Sequence, residues 1–334
     1  MGINMINLIH EKYKYNSGIS SYGNLIAKGL KEYNINYNDV AIPKIEINIL
    51  NKKIGGWFSK SIFSKIMASN ENVNHSLDHW SINKFTNLIT VHDIIPFIYS
   101  EDYKLSNIAI NYYLKTFEKI NKINNIIVPS YRVLKTLNQV ELLDLSNKVI
   151  NIIPRGVNNV SHNNYNPYEN DGKLHLITIG DFNFRKRFDL LYDYVKDLND
   201  VKLYHIGKIS DYNSYIKAMK NINSNVKYLG YINDNKLLYS YIYFADKFVY
   251  NSLDEGQGMP SLEAMKLGIQ PIINNNEIHN EMVGNLGFYY DTKEEFINLI
   301  YKQSNSRFSL VNYISKYDNW IEKIINVYEK MENN

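Results

Sequence analysis

Residues 251–291 read NSLDEGQGMPSLEAMKLGIQPIINNNEIHNEMVGNLGFYYD. Glu255 and Glu263 bracket the loop Gly256-Gln257-Gly258-Met259-Pro260-Ser261-Leu262. The backbone must turn sharply after Glu255, and Gly256 and Gly258 allow that turn. Pro260 suits the first position of a helix, where a missing N–H costs nothing. SLEAMKL continues with good helix formers, and Gly268 ends the helix. A glycine loop opening a helix presents bare N–H groups and a positive dipole end, which is an anion site of the kind phosphate occupies. Glu255 lies in the loop before the helix, and Glu263 lies about one turn inside it. Two carboxylates would repel a phosphate, so they suit hydroxyl groups, from which they can accept. Phosphate and hydroxyls together point to a nucleotide-sugar.

Outward from this stretch, short apolar strands alternate with helical segments. INLIH, NLITVHD, NNIIVPS and KVINIIP read as strands in the first half, and LHLITIG, VKLYHIG, VKYLG, KFVYNS and IQPIINN in the second. LKTFEKI, RKRFDLLYDYVKDL, DNKLLYSYIYFA and MPSLEAMKL read as helices. Such alternation in both halves implies two doubly wound α/β domains. Ligands in such folds bind beyond the carboxyl ends of the strands. The Asn-rich stretch 160–173, VSHNNYNPYENDGK, reads as the linker. The tail FSLVNYISKYDNWIEKIINVYEKM is amphipathic, with Tyr317, Trp320, Ile321, Ile324, Ile325 and Tyr328 on one face.

The 334 residues suffice for two cores. A net charge of +3 argues against a dedicated nucleic-acid binder. With no cysteine, disulfides, thiolate zinc sites and cysteine nucleophiles are excluded. No apolar run approaches ~18 residues, and MGINMINLIHEKY lacks the pattern of a signal peptide. The expectation is a cytoplasmic protein. Residues 51–70 mix lysines with Trp57, Phe58, Ile62, Phe63, Ile66 and Met67. A basic amphipathic stretch of this kind can lie peripherally on the inner membrane face, or serve as an ordinary surface helix.

The E-x7-E spacing, the Glu-Gly-x-Gly-x-Pro loop and the LEAM helix resemble the donor site of retaining GT-B glycosyltransferases, specifically glycosyltransferase family 4, the group 1 glycosyl transferases. The resemblance runs from residue 16 to 330. It implies two Rossmann-like domains facing an interdomain cleft: 1–160 for the acceptor, 170–310 for the donor, and 311–334 as a helix packing back on the first. Glu255 would then hold hydroxyls of the transferred sugar, and Glu263 the nucleotide ribose. Backbone N–H groups from Gly258 to Ser261 would hold phosphate oxygens, and Gly256, Gln257, Met259 and Pro260 would belong to the same donor-binding loop. Gln257 stands where the family usually carries an apolar residue.

Further matches lie elsewhere. Gly18 opens a helix and resembles the glycine loop that approaches the donor phosphates. His92, at the end of the strand NLITV, resembles a histidine near the reacting sugar, and a neutral imidazole can donate to or accept from a hydroxyl. Asp93 reads as a cap. Gly230, Tyr231 and Ile232 resemble the segment whose backbone reads the nucleotide base. In TIGDFNFRKRFDLL, Gly180 and Lys186 match family positions, whereas Asp181 stands where an arginine is expected. Arg185 is the nearby candidate for the missing charge, and Arg187 is read as expendable.

The expected activity is transfer of a hexosyl unit from a nucleotide-sugar to a glycan, lipid-linked or protein acceptor, without metal or other cofactor. The alternatives are a non-catalytic nucleotide-sugar or glycan-binding protein on the same scaffold, suggested by Asp181, and a sugar-nucleotide hydrolase.

Overall fold

The computed structural model describes residues 5–11, 18–42, 46–49, 52–55, 72–157 and 160–333, with backbone alone at 11, 18–20, 42, 46–49 and 52–55. The chain divides into two compact units, Met1–Arg155 with Asn319–Asn334, and Gly156–Asp318.

In unit one, β1 (Ile6–Glu11), β2 (Tyr37–Ile42), β5 (Val73–Ser76), β6 (Leu88–Thr90), β7 (Asn125–Val128) and β8 (Val149–Ile152) form a parallel sheet in the order β2-β1-β5-β6-β7-β8. A hairpin of β3 (Glu46–Ile49) and β4 (Lys52–Gly55) stands apart from it. The helices include α1 (Gly18–Glu32), α2 (Asn107–Ile120) and α3 (Tyr131–Asn138). Ser106 and Ser130 start α2 and α3 by accepting from backbone N–H groups three residues on. On α1, Tyr22, Ile26 and Leu30 are buried, at a spacing of about one helical turn.

In unit two, β9 (Leu174–Ile179), β10 (Val201–Ile206), β11 (Val226–Gly230), β12 (Lys247–Tyr250), β13 (Pro271–Asn274) and β14 (Phe288–Tyr290) form a parallel sheet ordered β11-β10-β9-β12-β13-β14. Successive residues of each strand face opposite cores. Ile177, Phe248 and Ile273 enter one cluster, and Leu176, Val249 and Ile272 the other. Helices cover both faces, which is why these strands read as unbroken apolar runs. The helices are α4 (Phe188–Val195), α5 (Tyr212–Met219), α6 (Asn235–Tyr243), α7 (Met259–Lys266), α8 (Glu277–Val283), α9 (Lys293–Tyr301) and α10 (Arg307–Ser315). The strand order reverses between β9 and β12, so a crevice opens beyond their carboxyl ends.

The structure redraws the expected boundaries. The division falls at 155/156, not within 160–173. That stretch is polar but anchored: Tyr168 is buried, donates its hydroxyl to Tyr241 O, and stacks on His175 at 4.7 Å. The tail is also two helices, α10 and α11 (Trp320–Glu332), rather than one segment starting at 311. Bonds from Tyr317 N to Ile314 O and from Asp318 N to Ser315 O tighten the last turn of α10 and end it. Tyr317 then packs in unit two and donates to Met282 O at 2.8 Å. Trp320, Ile324 and Tyr328 join the core of unit one.

Among the described residues, no helix is long and apolar enough to cross a membrane. The membrane-contact reading of 51–70 lies outside the described residues, apart from the backbone of β4.

Candidate functional site

The site grows from the two loops that follow β9 and β12. These strands are neighbours, with Leu176 beside Lys247 and Ile177 beside Phe248, so the loops leave the sheet side by side. After β9, Gly180 lies so close to Gly207 that a Cβ on Gly207 would sit 1.9 Å from Gly180 O. Asp181 accepts from Lys208 N at 2.8 Å and from Ser210 Oγ at 3.2 Å, which ties the ends of β9 and β10 together. A single turn, Phe184–Lys186, follows, and Arg187 adopts a left-handed conformation (φ 48°) before α4. Leu253 N donates to Arg185 O at 2.8 Å, pinning this turn to the β12 loop.

Four side chains meet there. Arg185 Nη1 pairs with Glu255 Oε2 and donates to Asp254 O at 2.8 Å. Lys186 Nζ donates to Glu255 Oε1 at 2.5 Å and also to Tyr250 OH. Tyr250 OH donates to Glu255 Oε1 at 2.9 Å. Lys186 and Glu255 are each 6% exposed, so their mutual attraction is little screened. Burial pushes the Glu255 carboxyl up, but Arg185 and Lys186 overcome this and hold it well below the usual carboxylate range. Burial pulls Lys186 down to about 8 against the opposing pull of Glu255. Two cations face the Glu255 carboxylate, and the carboxylates of Asp254, which accepts from Glu255 N, and of Asp181 lie nearby.

The N-terminus of α7 adds to this. Gly258 is its N-cap at φ 75°, and no side chain caps the helix. The far end closes with bonds from Gly268 N to Met265 O and from Ile269 N to Ala264 O, around Gly268 at φ 75°. His279 Nδ1 donates to Asn274 O at 2.8 Å, which leaves Nε2 as an acceptor. His279 Nε2 and Ser261 Oγ are buried without a hydrogen-bond partner. Glu263, Met259, Pro260 and Gly256 are partly exposed, and Gln257 is buried. At the end of β11, Gly230 takes φ 73°, and the half-exposed ring of Tyr231 lies 4.1 Å from Lys208 Nζ.

The structure thus gathers Arg185, Lys186 and Glu255 beside the Gly258–Ser261 turn. It also joins groups that the sequence reading kept apart: the cations assigned to a diphosphate hold the carboxylate assigned to a sugar. Gly18 and His92 belong to unit one. Gly18 opens α1, and His92 Nε2 donates to Leu77 O at 2.9 Å with its ring edge-on to Tyr22. Burial lowers the His92 pKa, so the ring is neutral with Nδ1 as acceptor. Asp93 accepts from Ile95 N at 3.2 Å, a capping bond. Sequence reasoning missed Tyr250. It also undervalued Arg187, which donates from Nε to Asn251 O at 3.1 Å and from Nη2 to Asn251 Oδ1 at 3.0 Å. The residue before a glycine-rich loop at the end of a buried strand was the available signal for Tyr250.

Residues 164–323 match the family model of group 1 glycosyl transferases. This segment is a group 1 glycosyl transferase domain. The O-antigen chain mannosyltransferase B of Escherichia coli is 41% identical over 69 residues, 21% of this chain and 18% of that protein. Sucrose-phosphate synthase from Thermosynechococcus elongatus superposes with a TM-score of 0.74 at 14% identity, covering 98% of this chain and 99% of the other. Anabaena Alr3699/HepE, solved with UDP and glucose, superposes with a TM-score of 0.70 at 13% identity over 99% and 100%. The fold is therefore GT-B, and the Arg185–Lys186–Glu255 cluster lies within the glycosyl transferase domain.

Proposed function

We propose that this protein transfers a hexosyl unit from a nucleotide-sugar to a glycan, lipid-linked or protein acceptor, with retention of anomeric configuration and without a metal. The observation that carries this reading is the gathering of Arg185 and Lys186 around Glu255 beside the uncapped α7 N-terminus. A leaving diphosphate gains negative charge as the glycosidic bond breaks. Two cations and a helix end supply the compensation that a divalent ion would otherwise give. A carboxylate offers about four lone-pair sites. Lys186 and Tyr250 occupy Oε1 and Arg185 occupies Oε2, so room remains on Oε2 for one sugar hydroxyl. Glu263 would take the ribose.

Among the described residues none stands out as a covalent nucleophile, since two cations already hold the Glu255 carboxylate, and this favours same-face attack with the departing phosphate accepting the acceptor's proton. Positioning and charge stabilisation would carry most of the barrier reduction. The UDP held by HepE and the mannosyl transfer named for the Escherichia coli relative support a nucleotide-sugar donor and a glycan acceptor. A cytoplasmic location belongs to the same proposal. Asp181 no longer favours the non-catalytic alternative, because its carboxylate has a local structural task.

The test is incubation with UDP-, GDP- and ADP-hexoses and a panel of glycan acceptors in EDTA, with NMR of the product anomer. A product of retained configuration is expected. Binding without turnover would favour the non-catalytic reading, and release of free sugar without acceptor transfer would favour a hydrolase.

A further inference from the structure

The last residue of β12, Tyr250, touches both members of the Lys186–Glu255 pair, and nothing in the family pattern assigns it a task. Its side chain is fully buried. Its hydroxyl accepts from Lys186 Nζ and donates to Glu255 Oε1 at 2.9 Å, while Lys186 Nζ also bonds Glu255 Oε1 directly. The three groups close a triangle. An ammonium has three donors. Two are committed to the triangle, which fixes the direction of the third.

We infer that Tyr250 is a positioning residue: its hydroxyl aims Lys186 at the diphosphate and keeps Glu255 from rotating fully onto the lysine. The inference rests on the donor-site reading above. A lysine is a flexible point charge on a four-carbon stem, so its use as a fixed cation requires something to hold it. Arg185 anchors the other oxygen of Glu255, but Glu255 alone would hold Lys186 through a single contact and leave its ammonium free to pivot about that contact. The phenol adds a directional bond to each partner from the rigid end of a central strand.

The test is a double-mutant cycle between Tyr250→Phe and Lys186→Met, read in kcat, donor KM and affinity for UDP, GDP and ADP. Phenylalanine keeps the ring and removes only the hydroxyl. Tyr250→Phe should lower kcat about tenfold and weaken nucleoside-diphosphate binding about threefold or more, with donor KM changed less than kcat. In the Lys186→Met background, the same substitution should cost almost nothing. Thermal unfolding of all variants controls for loss of fold, which would lower activity in both backgrounds alike. Losses that multiply across the cycle, or a Tyr250→Phe variant indistinguishable from the parent, would overturn the inference. If the parent binds nucleoside diphosphate but transfers no sugar, the transfer reading falls while the affinity cycle still decides Tyr250. If it binds none, both fall.

Discussion

Asp181 and Lys208 join the carboxyl ends of two adjacent strands: Asp181 Oδ1 accepts from Lys208 N at 2.8 Å. The family pattern carries an arginine at this position, and its absence looks like a lost catalytic charge. The bond gives the aspartate a different task, since it fixes the β10 loop whose Lys208 lies against Tyr231.

Restoring the family residue should therefore harm the protein. Asp181→Arg removes acceptors from Lys208 N and Ser210 Oγ and adds a third cation beside Arg185 and Lys186. Unfolding experiments should show a loss of about 1–3 kcal/mol, the scale of a charge-assisted hydrogen bond. Turnover should fall as well. An Asp181→Arg variant as stable as the parent and more active would show that the tie is incidental.

Arg187 should matter through the loop it holds. Arg187→Ala breaks both bonds to Asn251, four residues before Glu255. A stability loss of about 1–3 kcal/mol is expected in denaturant titration. Unchanged stability would return Arg187 to the expendable role its sequence position suggested.

The pH dependence follows from Lys186, which burial pulls down to about 8 from 10.5. The amine is charged below that value and neutral above it, so kcat/KM for the donor, which follows the free enzyme, should fall as pH rises through about 8. Folding responds in the opposite sense. Between the folded and unfolded values the unfolded chain binds more protons, so stability rises with pH in that window. Lys247, buried and also pulled down to about 8, acts in the same direction. A kcat/KM that falls above pH 8 while the melting temperature holds or rises would identify loss of charge. A kcat/KM and melting temperature falling together would point to unfolding instead.

The parts of this site that were legible in the sequence are those set by local rules. Gly258 needed a left-handed turn, Gly268 ended a helix in the same conformation, and the apolar strands had only one way to bury both faces. Arg185 and Lys186 could be proposed because they follow a strand end. Their union with Glu255 was not legible, since Lys186 and Glu255 are 69 positions apart and meet only because β9 and β12 pair at the reversal of strand order. Tyr250 reads as one more apolar strand residue, and its hydroxyl gains meaning only from what folds above it. The polar stretch at 160–173 misled for the converse reason. Composition predicts a loose linker, yet Tyr168 anchors it to the core through a hydroxyl that composition cannot locate. The break after Ser315 likewise depends on Tyr317 and Trp320 packing in different units.

The most direct test of the central claim is single-turnover sugar transfer in EDTA by the parent and by Lys186→Ala, with donor affinity measured in parallel. The account expects the parent to transfer under these conditions. It expects Lys186→Ala to lose about 10²-fold or more in rate, by analogy with the loss of one preorganised donor to a developing anion, while donor affinity changes far less. A Lys186→Ala variant that transfers at the parental rate, or a parent whose activity disappears in EDTA and returns with magnesium or manganese, would contradict it.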